Sequence, residues 1–183
     1  MPVETITPTP TPTQTPTPTP EAEPGTRQAP LALGERQQMA PDSGWIVGLT
    51  ASNLDAFAAI RAADEYHEPP AEGDRYVVGT LNLSINRENL EAQYAAGQSI
   101  ENDGLDAYGS LTVEFVGSDG IAYDEFSRGT CYTGNPFHSV GSIYSYDAVV
   151  SADVCVVAPA TAVDGGLWRI SNSRNDSVWI KSS

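Results

Sequence analysis

Basic residues are scarce in this chain of 183 residues. Lysine occurs once, as Lys181, and nine basic residues stand against 24 acidic ones, so the formal net charge is −15. A surface this acidic repels the phosphates of nucleic acids and the headgroups of anionic lipids. We therefore expect no nucleic-acid partner and no binding to an anionic membrane surface.

Long hydrophobic runs are also missing. No stretch of 18 apolar residues occurs, so we expect no membrane insertion by this chain. The first residues, Met1 to Ile6, carry neither the basic nor the apolar part of an export signal. If the protein works outside the cell, its export signal or lipid anchor is expected to precede Met1; otherwise the extracellular interpretation is wrong.

The common catalytic motifs are absent: there is no G-x-S-x-G, no P-loop and no G-x-G-x-x-G. His67 opens "HEPPA", but Ala71 replaces the second histidine of a zinc-protease motif and the prolines prevent the required helix. His138 could pair with Cys131 only if that thiol were free. We predict that the protein is not an enzyme.

Acidic residues offer two weaker hypotheses. Neighbouring carboxylates at residues 64–65 and 124–125 could serve a small secreted hydrolase, but their pattern favours plain surface charge. Glu101, Asp103 and Asp106 could form an irregular calcium site, although no EF-hand spacing is present and a solvated acidic loop is favoured. We predict no metal and no cofactor.

Only two cysteines are present, Cys131 and Cys155. An even number of cysteines, in a chain whose N-terminal segment is typical of exported proteins, favours a disulfide between them. The alternatives are two reduced buried thiols or a nucleophilic cysteine.

Proline and threonine dominate the N-terminus, which reads "ITPTPTPTQTPTPTPE" from Ile6 to Glu21. Alternating prolines prevent helix and sheet and favour an extended polyproline II chain. Such tracts are typical of glycosylated extracellular stalks, and a flexible intracellular linker is the alternative. We interpret residues 1–30 as a disordered stalk and residues 31–183 as one folded domain.

The folded part shows the period-two pattern of half-buried strands. In "RYVVGTLNLSIN" the apolar side chains alternate from Val77 to Ile85, and "SLTVEFVGSDG" alternates before a hairpin turn at Ser118–Gly120. Other predicted strands are "WIVGLTAS", "YDAVVSADVCVVAP", "LWRIS" and "SVWIKS", with an edge strand near residues 31–39.

One segment follows a helical pattern instead. "SNLDAFAAIRAAD" begins with a capping-box-like Ser52 and Asp55 and continues through alanine-rich helix formers. The polar segment "ENLEAQYAAGQSIENDGLD" predicts a loop with at most a helical turn. The whole pattern predicts an all-β fold, an antiparallel β-sandwich with a short helical insertion.

Three stretches resemble a known family: "DAFAAIRAADEYHEPPAEGDRYVVGTLNLSIN", "LTVEFVGSDGIAYDEF" and "DVCVVAPATAVDGGLWRI". They are similar to immunoglobulin-like β-sandwich domains of unknown function in bacterial secreted proteins and lipoproteins, related to the mycobacterial immunoprotective extracellular antigen. The resemblance covers roughly Trp45 to Ile170. It implies an immunoglobulin-like sandwich and a pairing of Cys131 with Cys155, and it supplies no catalytic residue.

These patterns favour a non-catalytic module outside the cell or on its surface, displayed on the stalk for interaction with an extracellular protein. The alternative is a carbohydrate-binding module for a cell-wall glycan. Tyr144 and Tyr146, predicted to share one strand face, and Trp168 are its candidate ligand-contact aromatics. The purely structural explanation is that the tryptophan belongs to the core and the tyrosines are ordinary strand residues.

Overall fold

The computed structural model describes residues 22–183, which form two four-stranded antiparallel sheets and several short helices. The strands are β1 (Arg36–Gln38), β2 (Trp45–Asn53), β3 (Asp74–Ile85), β4 (Leu111–Val116), β5 (Ala122–Tyr123), β6 (Val149–Pro159), β7 (Leu167–Asn172) and β8 (Ser177–Lys181). The helices are α1 (Phe57–Ala63), α2 (Arg87–Gln93), α3 (Ile100–Asp103), α4 (Ala107–Ser110) and α5 (Ala160–Val163), with a 3₁₀ turn at Phe137–Ser139.

The first sheet has the order β1-β2-β3-β6 and the second the order β5-β4-β7-β8. The chain crosses between the sheets after β3, after β5 and after β6. In immunoglobulin domains strand B lies with strand E in one sheet, while C, F and G form the other, and β3, β6, β4, β7 and β8 match these five strands. The predicted immunoglobulin-like β-sandwich is therefore confirmed.

The core lies between the sheets and consists of the alternating apolar side chains that the sequence pattern predicts. Val77, Leu81 and Leu83 of β3 are fully buried, and Phe115 of β4 meets the buried ring of Trp168 on β7. The predicted hairpin turn is also confirmed, because Gly117 N donates to Ile121 O where β4 turns into β5. Period-two burial thus holds on both sheets.

The helical insertion is shorter than predicted, and its predicted cap is wrong. Ser52 lies in β2, opposite Gly79 of β3, because the pairing of β2 with β3 continues to Asn53. Its hydroxyl accepts a 3.0 Å hydrogen bond from the indole nitrogen of Trp168. Helix α1 therefore begins only at Phe57 and has no capping side chain.

The polar segment predicted to be a loop is largely helical: it contains most of α2 and all of α3, and α4 follows directly after it. Each begins with a capping side chain that accepts from a backbone N–H: Asn86 from Asn89, Ser99 from Asn102, and Asp106 from Gly109. Each helix also buries one apolar side chain in the main core, namely Leu90, Ile100 and Ala107. Local capping together with burial explains why these polar stretches are helical.

The chain enters the sandwich along β8. Gly25 O accepts from Trp179 N (2.8 Å), and Leu31 N donates to Trp179 O (2.9 Å), so residues 25–31 cover the outer edge of β8. The guanidinium of Arg27 also lies 5.3 Å from the centroid of the Trp179 ring. Residues 1–21 of the predicted stalk lie outside the described residues, while residues 25–30 contact the domain.

The two sheets stack so that β2 contacts β8 at one side, while β6 contacts β4 and β5 at the other. The entry segment on β8 and the β5/β6 side are therefore at opposite sides of the sandwich. Within residues 22–183, no helix has both the length and the apolar character needed to cross a bilayer.

Candidate functional site

The three aromatics that the sequence suggested for a glycan do not form a common surface. Trp168 is fully buried in the core, and Tyr146 is 9% exposed with the guanidinium of Arg87 at 4.5 Å from its ring. Tyr144 is 56% exposed. Both tyrosines lie in the loop before β6, so the prediction that they share a strand face is wrong.

Cys131 and Cys155 form a disulfide, with their Cα atoms 5.8 Å apart and both side chains buried. Cys155 lies in β6, and its neighbour across the sheet is Val78 of β3. Cys131 lies in the long connection between β5 and β6. The predicted pairing is thereby supported, and the bond leaves no free thiol for His138 among the described residues.

The disulfide belongs to a second, smaller apolar cluster on the outer face of the β1-β2-β3-β6 sheet. Ile60 of α1, Tyr76 of β3 and Val157 of β6 pack with the two cysteines there. The hydroxyl of Tyr76 donates to Glu68 O at 3.1 Å, which ties down the chain after α1. Helix α1 and the β5–β6 connection are therefore fastened to the same sheet face.

The β5–β6 connection, residues 124–148, is held to β6 and β3 at further points. Asp153 N donates to Asn135 O and the Asn135 side-chain amide donates to Ser151 O, both at 2.7 Å. Arg128 forms an ion pair with Asp74 at 3.0 Å. These contacts fix a segment that has little regular secondary structure.

Aromatic side chains from this connection and its neighbours form a continuous row. Consecutive ring centroids are 5.3 to 6.5 Å apart, a spacing typical of interacting aromatic pairs. We call this row the aromatic ridge; in order, its members are Phe57, Tyr76, His67, Tyr132, His138, Tyr108 and Phe137.

The members of the ridge differ in their exposure to solvent. Tyr76 and Phe137 are buried, whereas Tyr132 is 55% and Tyr108 37% exposed. Two further aromatic side chains occur on the connecting segments, Tyr66 beside His67 and Phe126 beside Glu125, and they are 83% and 63% exposed. Exposed aromatic rings on a rigid backbone are typical of surfaces that bind other proteins.

A partly buried carboxylate lies at one end of the ridge. The Glu125 side chain is 13% exposed, and its Oε1 is 3.6 Å from Nδ1 of His138. Burial raises the pKa of Glu125, and the neighbouring His138 and then Tyr108 oppose that rise. Burial, reinforced by the charge of Glu125, raises the pKa of Tyr108. The surroundings of Glu125 therefore offset only part of the cost of burying its negative charge.

The arrangement offers little to hydrolytic chemistry. Of the neighbours Asp124 and Glu125, only Glu125 is partly buried; Asp124 is exposed and its Oδ1 accepts from Phe126 N at 2.9 Å. A glycosidase needs two carboxylates that face each other across a cleft, and this pair does not provide that arrangement. Asp64 and Glu65 are both exposed.

Two of the three suggested calcium ligands accept hydrogen bonds from nearby backbone N–H groups. Asp103 accepts from Ser99 N (2.9 Å), and Asp106 accepts from Gly109 N (2.9 Å) as the cap of α4. Between residues 22 and 183, no group of three or more His, Cys, Asp or Glu side chains is placed to hold a metal ion.

Sequence reasoning missed the ridge because its members come from five separate segments of the chain. The one available signal was the position of Tyr132 next to Cys131, since a tyrosine adjoining a disulfide on a long connection is held where it can be exposed. Nothing in the spacing of Tyr108 and His67 relates them to Tyr132.

No family model matches the chain, and none of the curated proteins matches it. A conserved hypothetical protein from Bacillus anthracis is similar in structure, at 12% identity and a TM-score of 0.45 over 82% of this chain and 95% of the other. An uncharacterized beta-sandwich protein from Clostridium difficile 630 is similar at 14% identity and a TM-score of 0.39 over 90% of this chain and 100% of the other. The fold conclusion depends on the strand pairing itself, and the relation to the mycobacterial antigen stays a prediction.

Proposed function

We propose that this protein is a non-catalytic interaction module that works outside the cell and binds a partner protein through the aromatic ridge. The observation that carries the proposal is the exposure of Tyr132 on a connection that a disulfide and hydrogen bonds fasten to β6. Tyr108, the second exposed tyrosine of the ridge, lies on the capped helix α4. Tyrosines on a rigid support contribute large contact area at a small cost in conformational entropy.

The position of the ridge supports a displayed role. The connection that carries Tyr132 spans the β5/β6 side of the sandwich, while Gly25 to Leu31 enter along β8 at the opposite side. A stalk that joins the domain at residue 25 would therefore leave the ridge accessible to a partner. The disulfide supports an oxidising environment, where such bonds persist.

A protein partner suits the ridge better than a glycan does. A sugar stacks on the face of an aromatic ring, so a glycan platform needs rings that present their faces side by side. The rings from Tyr76 to Phe137 instead meet at 71° to 82°, edge against face. Of the three residues first suggested for a glycan, Trp168 and Tyr146 are buried and Tyr144 alone is exposed.

Site-specific photo-crosslinking tests the proposal, because Tyr132 and Tyr144 form a matched pair. Their exposures are 55% and 56%, but only Tyr132 belongs to the ridge. We expect a photoreactive phenylalanine analogue at position 132 of the full chain, displayed on the producing cells, to give one discrete protein adduct. The same analogue at position 144 should give none.

Two results would contradict the proposal. One is an identical adduct pattern from positions 132 and 144. The other is saturable binding to purified cell-wall glycan that Tyr144→Ala lowers and Tyr132→Ala leaves unchanged, which would restore the carbohydrate-binding alternative.

A further inference from the structure

A pocket opens at the Tyr108 end of the aromatic ridge. Its volume is about 260 Å³, and it lies between β4 and the start of the β5–β6 connection. β5 pairs only with Phe115 and Val116, so within the described residues the Leu111–Val113 part of the outer β4 edge has no strand partner. The pocket occupies the space that a longer β5 would fill.

The walls of this pocket combine aromatic and acidic side chains with aliphatic ones from β4 and β6. Tyr108, Phe126 and Phe137 supply rings, Asp124 and Glu125 supply carboxylates, and none of the lining residues is lysine or arginine. Ring faces attract cations, and a carboxylate beside them adds a direct charge. The lining therefore favours a positively charged group that also has an apolar stem.

Glu125 lacks a strong cationic partner in the described part of the chain. Its one ion-pair neighbour is His138, at 3.6 Å, which is too long for a good hydrogen bond and is charged only when the imidazole is protonated. A carboxylate with 13% of its side chain exposed gains most from a close positive charge.

The size of the pocket favours a single side chain over a larger free ligand. Pockets for small molecules usually enclose about 300 to 1,000 Å³, so a cavity of about 260 Å³ suits a single side chain. The uncovered edge of β4 at Leu111–Val113 offers main-chain groups to an extended polypeptide beside it.

We propose that this pocket binds a lysine or arginine side chain on an extended segment of the partner protein. The inference rests on the proposed function and names the chemistry of the partner at one end of the ridge. The ammonium or guanidinium group lies against Glu125, with its stem between the rings of Tyr108 and Phe126. A chain with net charge −15 attracts such a basic segment over a distance.

The test is an NMR titration of the full ¹⁵N-labelled chain with two capped pentapeptides, Gly-Gly-Arg-Gly-Gly and the same peptide with neutral citrulline. We expect the arginine peptide to shift the amides of Glu125 and Phe126 and to bind at least fivefold more tightly than the citrulline peptide. Glu125→Gln should remove this preference. Glu72→Gln, which removes the same charge from an exposed turn, should retain it.

Phe126→Ala provides a second variant that leaves the core intact, because this ring is 63% exposed. It should weaken the arginine peptide severalfold. Equal binding of the two peptides, no shift with either at 20 mM (roughly the limit of weak side-chain binding), or an unchanged preference in Glu125→Gln would overturn the inference. If it fails while the position 132 adduct persists, the ridge remains the interaction surface and only the cationic pocket is rejected.

Discussion

Cys131 is bonded to Cys155 of β6, and this bond holds the neighbouring Tyr132 beside His67, with the two rings 6.3 Å apart. The disulfide thus joins the β5–β6 connection to the sheet face that also carries α1. In the immunoglobulin pattern of antibody domains the bond links strands B and F across the core; here it fastens a connecting segment to the outside of one sheet.

The double substitution Cys131→Ser with Cys155→Ser should lower the free energy of unfolding. The cysteines are 24 positions apart, and closing a loop of that size stabilises by about 3 to 4 kcal/mol in the chain-entropy model. Denaturant unfolding of the variant and of oxidised and reduced wild type measures this. The amides of residues 126–138 should also lose protection against hydrogen exchange, and equal unfolding free energies for the three samples would refute the prediction.

Gly79 leaves room for the indole of Trp168. A Cβ at position 79 would approach Trp168 to 2.9 Å and Leu49 to 2.7 Å, both in the core. Gly79→Ala should therefore cost about 1 to 3 kcal/mol through overpacking. Gly134→Ala is the matched control, since nothing lies within 4 Å of a Cβ there. Urea unfolding followed by tryptophan fluorescence compares them, and an equal effect of the two substitutions would show that the Gly79–Trp168 contact is not tight.

The hydroxyl of Tyr123 donates a 2.6 Å hydrogen bond to Oδ2 of Asp119 across the β4–β5 turn. Burial, and then this bond to a carboxylate, raises the pKa of Tyr123 to about 12. Ultraviolet titration should show one of the eight tyrosines ionising well above the ordinary value of about 10. Asp119→Asn should lower the pKa of Tyr123 because it removes the negative charge.

The same pair predicts two limits of stability with pH. Because the pKa of Tyr123 is raised on folding, its contribution is complete below pH 10 and is lost as the pH rises towards 12. The hydrogen bond from Tyr123 lowers the pKa of Asp119, so that contribution is present above pH 4 and is lost as the pH falls through the folded value. Both losses should be smaller in Tyr123→Phe, and an unchanged pH profile of that variant would contradict the assignment.

Glu125 should destabilise the free protein at neutral pH. Burial raises the pKa of this carboxyl in the folded state, so the folded chain binds its proton more tightly than the unfolded chain does. Stability therefore falls as the pH rises from the unfolded value near 4 through the folded one. Glu125→Gln should raise the melting temperature at pH 7 by a few degrees, and the gain should disappear near pH 3.

Thermal unfolding of Glu125→Gln and Glu72→Gln between pH 3 and pH 7 measures this change in melting temperature. The two variants have the same net charge. A lower melting temperature of Glu125→Gln at pH 7 would show that the ion pair with His138 outweighs the cost of burial. A side chain that costs stability in the free protein and gains a partner on binding is typical of a functional site.

Local patterns predicted the strands well. Alternation in β3 and β4 placed Val77, Leu81 and Phe115 in the core, and this is where they lie. Prediction failed where the secondary structure of a segment depended on pairing with a strand far away in the sequence. Ser52 resembled a helix cap, but the pairing of β2 with β3 extends through it, and its hydroxyl binds Trp168 instead.

The sequence by itself determined the antiparallel sandwich, the acidic surface and the disulfide partners. These follow from strand periodicity, from composition and from the presence of only two cysteines. Only the tertiary structure decided which aromatics face solvent. The buried ring of Trp168 fills space that Gly79, 89 positions away, leaves open. Tyr132 and Tyr108 join one ridge because long-range packing brings separate segments together, and no local pattern encodes such a contact.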